Sequence, residues 1–187
     1  MDLNFNERAY TMEPEQKNKI DNLVALLNCD DPIQCRKARR QLIKIGQAAV
    51  PALISAASSG FTMKRWEALA ALGSIGGQDA IKTLISHLGD ADYGIRWTAA
   101  DNLIKIGEPA LIPVLKATIS NSKSLPFRDG VHHFLTDATS VADPHNEILE
   151  TVLKSLEEPV AELAAPVAAE AALDKLREFN KVAEVKR

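Results

Sequence analysis

Aromatic side chains are scarce, at 5% of 187 residues, and only Trp66 and Trp97 carry indoles. Leu, Ile, Val and Ala must therefore pack the core of a chain that is 46% hydrophobic, which suits thin layers of paired helices better than a β-sandwich. Cysteine is limited to Cys29 and Cys35. Neither has the paired spacing or the neighbouring histidine of a zinc site, and two thiols fit a reducing cytoplasm. No apolar run approaches the roughly 18 residues that mark a membrane span, and the N-terminus has no apolar signal core. The Ala-rich stretch near the C-terminal end is broken by Glu162 and Glu170. A cationic excess is also missing: the net charge is -3, which argues against a non-specific nucleic-acid binder. There is no P-loop, G-x-S-x-G, H-E-x-x-H or dinucleotide fingerprint. No catalytic residue, metal ligand or cofactor is assigned, and the chain reads as non-enzymatic.

What is present is a repeat. Ile-Gly occurs at Ile45-Gly46, Ile75-Gly76 and Ile106-Gly107, with spacings of 30 and 31 residues. Three residues before each Ile lie Leu42, Leu72 and Leu103, seven before lie Ala38, Ala68 and Ala99, and ten before lie Cys35, Arg65 and Arg96. Those offsets form one stripe on an α-helix, and the glycine after it supplies a left-handed stop. A second apolar helix follows each glycine, with Val50 and Leu53, Ile81 and Leu84, and Ile112 and Leu115 in equivalent places. Pro51 and Pro113 are expected early in two of these helices, where a missing N–H costs little.

The pattern extends both ways. Residues 20–27 read as the first helix of the first hairpin. Residues 111–119 and 127–138 make a fourth, joined by a longer connection over 121–126, and residues 148–156 and 167–176 make a fifth. One hairpin cannot bury its own apolar face, whereas stacked hairpins can. The expected fold is thus an all-α superhelix of about five hairpins over residues 15–179. A flexible arm over 1–14 and a frayed tail over 180–187 flank it.

The run from Asp92 to Gly107 resembles the short HEAT repeat of phycobilisome-lyase-type and other bacterial HEAT proteins, through Asp92, Ile95, Arg96, Ala99, Leu103, Ile106 and Gly107. Asp31 to Gly46 resembles it too, with Cys35 in place of the Arg; the second repeat has Phe61 in place of the Asp, and the fifth has Pro166 in place of the Arg. The resemblance covers roughly residues 17–178 and implies an α-solenoid whose second helices line a concave side. It says little of function, since such repeats serve scaffolds, lyases, glycosylases and hydroxylases alike.

On that side, positions nine and five before the Ile neighbour each other. They hold Arg36 and Arg40, then Trp66 and Ala70, then Trp97 and Asp101. Aligning Arg128 with Arg96 adds Asp129 and His133, and the fifth unit adds Val167 and Ala171. This strip runs from guanidinium through two indoles to carboxylate and imidazole. One reading is a recognition groove, since Trp and Arg are frequent hot spots; the other is that both indoles pack between hairpins. Arg65 and Arg96 lie on the apolar stripe, where an unpaired charge is costly. They are expected to form a structural ladder in which Arg96 bonds Asp92 or an Asp of the next unit. Asp129, His133 and Asp137 share a helix face that offers metal or proton chemistry only weakly, with His132 beside them; a hydrogen-bonded solvated face is the plainer reading. His145 is expected at a helix start.

Charge is uneven. Residues 32–46 hold five basic side chains and no acid, whereas residues 137–187 hold eleven acidic and six basic. A basic head and an acidic tail allow head-to-tail self-association or docking of a dipolar partner, or are simply two solvated faces. The resulting reading is a cytoplasmic scaffold or adaptor that binds a protein or peptide on the concave strip. A phycobilin-lyase-like or pigment-handling protein is the alternative that the resemblance implies. A HEAT-like alkylpurine DNA glycosylase, using Trp97 and Asp101, is a more distant one. HEAT-repeat deoxyhypusine hydroxylases carry His-Glu dyads, and none of His87, His132, His133 or His145 precedes a Glu.

Overall fold

A computed structural model describes residues 13–28, 30–140 and 145–185, with Ser140 and residues 180–185 described by their backbone alone. Most of the expected arm, Cys29 and the last two residues lie outside the described residues. Among the described residues ten α-helices form five hairpins: α1 (Pro14–Ala25) with α2 (Pro32–Ile45), α3 (Val50–Ala57) with α4 (Thr62–Ile75), α5 (Gln78–Ser86) with α6 (Tyr93–Ile106), α7 (Glu108–Asn121) with α8 (Leu125–Ser140), and α9 (Asn146–Leu156) with α10 (Ala161–Val185). No strand occurs among the described residues, and no described helix is long and apolar enough to cross a membrane.

The stripe read from the sequence is the core. Leu42, Leu72, Leu103, Ala68 and Ala99 are fully buried, and Ala38 and Cys35 nearly so. Asp31 and Asp92 start α2 and α6 by accepting hydrogen bonds from backbone N–H groups of the first turn. Gly46, Gly76 and Gly107 end α2, α4 and α6, each donating its N–H to the carbonyl of the stripe leucine four residues earlier. Their φ values are 73°, 70° and 75°, but ψ is -138°, -164° and -140°. The stop is therefore not the left-handed helical turn expected from the sequence. It is the extended positive-φ region that is nearly closed to any residue with a Cβ.

Two local expectations are corrected. Pro113 lies inside α7, and it is Pro109 that occupies the first turn, because α7 already begins at Glu108. The link from α7 to α8 is also short, residues 122–124, since both helices extend into the segment read as a connection.

The helices stack in two rows. First helices α1, α3, α5 and α7 pack in sequence along one row, and α2, α4, α6 and α8 along the other. The last hairpin exchanges the rows: α9 packs beside α8, while α10 packs on α7 and α9. Small residues permit this. Ala161, Ala165, Ala169 and Ala172 are buried along α10, so its backbone approaches α7 and α9 closely. Ser122 Oγ donates to the Glu162 carbonyl at 3.0 Å, fixing the start of α10 to the end of α7. Asn146 Nδ2 donates to the Thr139 carbonyl at 3.0 Å, fixing α9 to α8. The strip therefore does not continue onto Val167 and Ala171, which belong to the other row. Past the boundary expected at residue 179, α10 runs on to Val185, with the Phe179 ring edge-on to His145 at 4.8 Å.

Candidate functional site

Arg36 and Arg40 lie on α2, Trp66 on α4, Trp97 and Asp101 on α6, and Asp129 and His133 on α8, so the predicted residues share one row of four adjacent helices. Neither indole is packed away: Trp66 is 39% exposed and Trp97 43%. Each has a charged or polar neighbour. The Arg39 guanidinium lies 5.3 Å from the Trp66 ring centre. The His133 imidazole stacks on Trp97 with centroids 3.6 Å apart and planes inclined by 21°.

At the α6–α8 end, His133 Nε2 lies 3.0 Å from Asp101 Oδ1, and the His133 side chain is only 14% exposed. The carboxylate aligns the imidazole, and the imidazole braces one indole face. Tyr93 sits 5.3 Å from Trp97, tilted by 37°, and the Arg96 guanidinium lies 5.3 Å from the Tyr93 ring centre. Tyr93, Arg96, Trp97 and His133 border a pocket of about 360 Å³. At the α2–α4 end, Pro32, Arg36, Met63, Trp66 and Ile95 line an open apolar groove of about 650 Å³.

The stripe arginines are paired, with one change of partner. Arg65 pairs with the carboxylate of Asp90 in the next unit. Arg96 Nη1 donates to the carbonyls of Asp90 at 2.8 Å and Ala91 at 3.2 Å, and Arg96 Nη2 lies 3.9 Å from Asp129 in the next unit. Asp92 takes no part, because its carboxylate is spent on capping α6 through the N–H groups of Gly94 and Ile95. Arg128 donates to the carbonyl of Ser122. The offset matches that of Arg96 and Asp90, which supports the register setting Asp129 opposite Trp97 and His133 opposite Asp101.

Asp129, His133 and Asp137 do not converge: His133 turns across to α6, and His132 Nε2 faces Glu157 Oε1 at 3.1 Å. Among the described residues no three His, Cys, Asp or Glu side chains form a metal-binding group. His145 sits at the start of α9, as expected.

Sequence reasoning missed Arg39, Glu67 and Tyr93. Arg39 Nη1 and Glu67 Oε2 lie 2.7 Å apart, bridging α2 to α4, with Glu67 buried. Burial pushes the Glu67 carboxyl above its ordinary 4.5, and the charge and hydrogen bond of Arg39, then the charge of Arg36, oppose the rise. Tyr93 precedes Trp97 by one helical turn, a spacing that was available as a signal. Glu67 offered none, because its partner comes from the preceding repeat.

A family model described as HEAT repeats matches residues 20–94 and 50–131. No curated protein matches in sequence. Among solved structures, the fold is similar to a chain in the complex of CpcE and CpcF of phycocyanin lyase from Nostoc sp. PCC7120. Sequence identity is 21% and the TM-score 0.53, over 84% of this chain and 99% of that one.

Proposed function

The chain belongs to the HEAT-repeat family, and from that premise we propose that it is a non-enzymatic adaptor binding a protein along the α2–α4–α6–α8 row. The observation that carries this reading is the pair of indoles at equivalent positions of consecutive repeats, each about two-fifths exposed and each held by a neighbour. Large rigid aromatics fixed before binding lose little entropy on docking, which is why they dominate interface energetics. Arg36 and Arg40 extend the surface at one end, and Asp101, Asp129 and His133 at the other. Such an adaptor suits a cytoplasmic setting. The test is affinity capture from native lysate, comparing wild type with Trp66→Ala/Trp97→Ala of verified helicity. A partner retained by wild type and reduced at least tenfold with the variant supports the adaptor reading; equal retention removes the strip from it.

A second reading, pigment handling, is favoured by the pocket beside the stacked Trp97 and His133 and by the likeness to a chain from a phycocyanin lyase complex. Its test is the visible spectrum of a free bilin titrated with the chain. A shifted and sharpened band that His133→Ala abolishes supports it, and an unchanged spectrum sinks it. The glycosylase reading gains nothing from the geometry, because the Asp101 carboxylate is engaged by His133 and one face of Trp97 is covered.

A further inference from the structure

The exchange of rows in the last hairpin leaves one face of α10 turned outward. Val160, just before the helix, and Leu163 and Val167 on it are 49%, 66% and 68% exposed, at the i, i+3, i+7 spacing of a helix that docks in a groove. Along the same face the side chains then turn acidic, at Glu170, Asp174 and Glu178. Glu170 and Glu178 form no ion pair among the described residues, although Asp174 pairs with Arg177 at 3.0 Å. This half-apolar, half-acidic helix face has a counterpart at the other end of the chain.

That counterpart is the groove between α2 and α4. Its floor is apolar, at Met63, Trp66 and Ile95; Arg36 lines it from α2 and Arg40 follows one helical turn further on, both exposed and without an ion pair among the described residues. Three acids line it: Glu67 is already held by Arg39, Asp92 caps α6, and Asp30 lies just before α2. The apolar floor and the basic α2 beside it, which holds five basic and no acidic side chains over residues 32–46, thus answer the apolar and acidic halves of the α10 face. We propose that a second copy of this chain is an occupant of the groove. Its α10 sets Leu163 and Val167 on Met63 and Trp66, and Glu170 and Glu178 toward Arg36 and Arg40. The proposal rests on the reading of the second-helix row as a binding surface, and it names the partner for the Trp66 half.

Such a contact is heterologous: the two copies contribute different surfaces, and each copy keeps one surface free, so association runs head to tail. Its electrostatic part weakens as salt rises. That asymmetry gives a test by complementation, read as mass by sedimentation equilibrium. Wild type should associate at tens of micromolar and dissociate as salt is raised. Leu163→Glu/Val167→Glu breaks only the helix face, and Arg36→Glu/Arg40→Glu only the groove; all four residues are exposed, so the fold survives. Each variant alone should be monomeric, with its dissociation constant raised at least tenfold, equivalent to about 1.4 kcal/mol. Mixed, they should form a one-to-one dimer that grows no further, because one variant supplies the intact groove and the other the intact helix. A monomeric wild type, association that survives in either variant, or a mixture that stays monomeric each overturns the proposal. The Leu163→Glu/Val167→Glu variant leaves both indoles intact. Its retention of an external partner in the capture experiment therefore separates a failure of this proposal from a failure of the adaptor reading.

Discussion

Gly107 occupies φ 75° and ψ -140°, where a Cβ meets no neighbouring atom yet strains the backbone itself. Replacing it with Ala should cost about 1–3 kcal/mol, read from urea midpoints, with similar losses at Gly46 and Gly76. Gly60 also has open space around it, without a positive φ, and Gly60→Ala should change stability by less than about 1 kcal/mol. The need for these three glycines was legible in the Ile-Gly period. Their ψ was not, because a period locates a stop without saying how the chain leaves it. Glu67 was not legible at all: it sits between Trp66 and Ala68 in a helix, and the group it pairs with, Arg39, lies 28 residues earlier. Because burial raises its folded-state pKa, the neutral form fits the fold better. Its contribution to stability is full below pH 4.5 and is lost as pH rises through the raised value. Denaturant midpoints measured from pH 4 upward should show that fall in wild type. Glu67→Gln, which cannot ionise, should lack that segment of the pH dependence.

Helix pairs are set by close approaches as much as by apolar area. A Cβ on Gly73 of α4 would overlap the side chain of Asn102 on α6, so these helices meet where one side chain is absent and the other is buried. Gly73→Ala should cost about 1–3 kcal/mol by forcing the pair apart. Adding Asn102→Ala should recover part of that loss, seen as coupling in a double-mutant cycle. The five hairpins themselves were readable, since Leu42, Leu72 and Leu103 with their following glycines give both the stripe and its end. The row taken by α10 was not readable. The alanines at 161, 165, 169 and 172 mark a buried helical face, but periodicity carries no information on which neighbour that face meets. The same limit placed Val167 and Ala171 on the strip, when α9 is the helix beside α8.

Across the whole molecule, a single row of second helices carries a guanidinium end, two indoles and a carboxylate–imidazole end. Its repeat positions were visible because equal offsets from Ile75 and Ile106 fall on Trp66 and Trp97. What the sequence left open was whether those rings face outward, since an indole between hairpins leaves the same periodic trace; exposures near two-fifths place them at the surface. Both indoles of the chain lie on this one face, so intrinsic fluorescence reports on it without any label. The most direct measurement is the tryptophan emission of the chain as a captured partner free of tryptophan is titrated in. A blue shift that saturates with binding is expected, because docking removes water from both rings. Emission that stays unchanged while the partner is bound would contradict the assignment of this face as the binding surface.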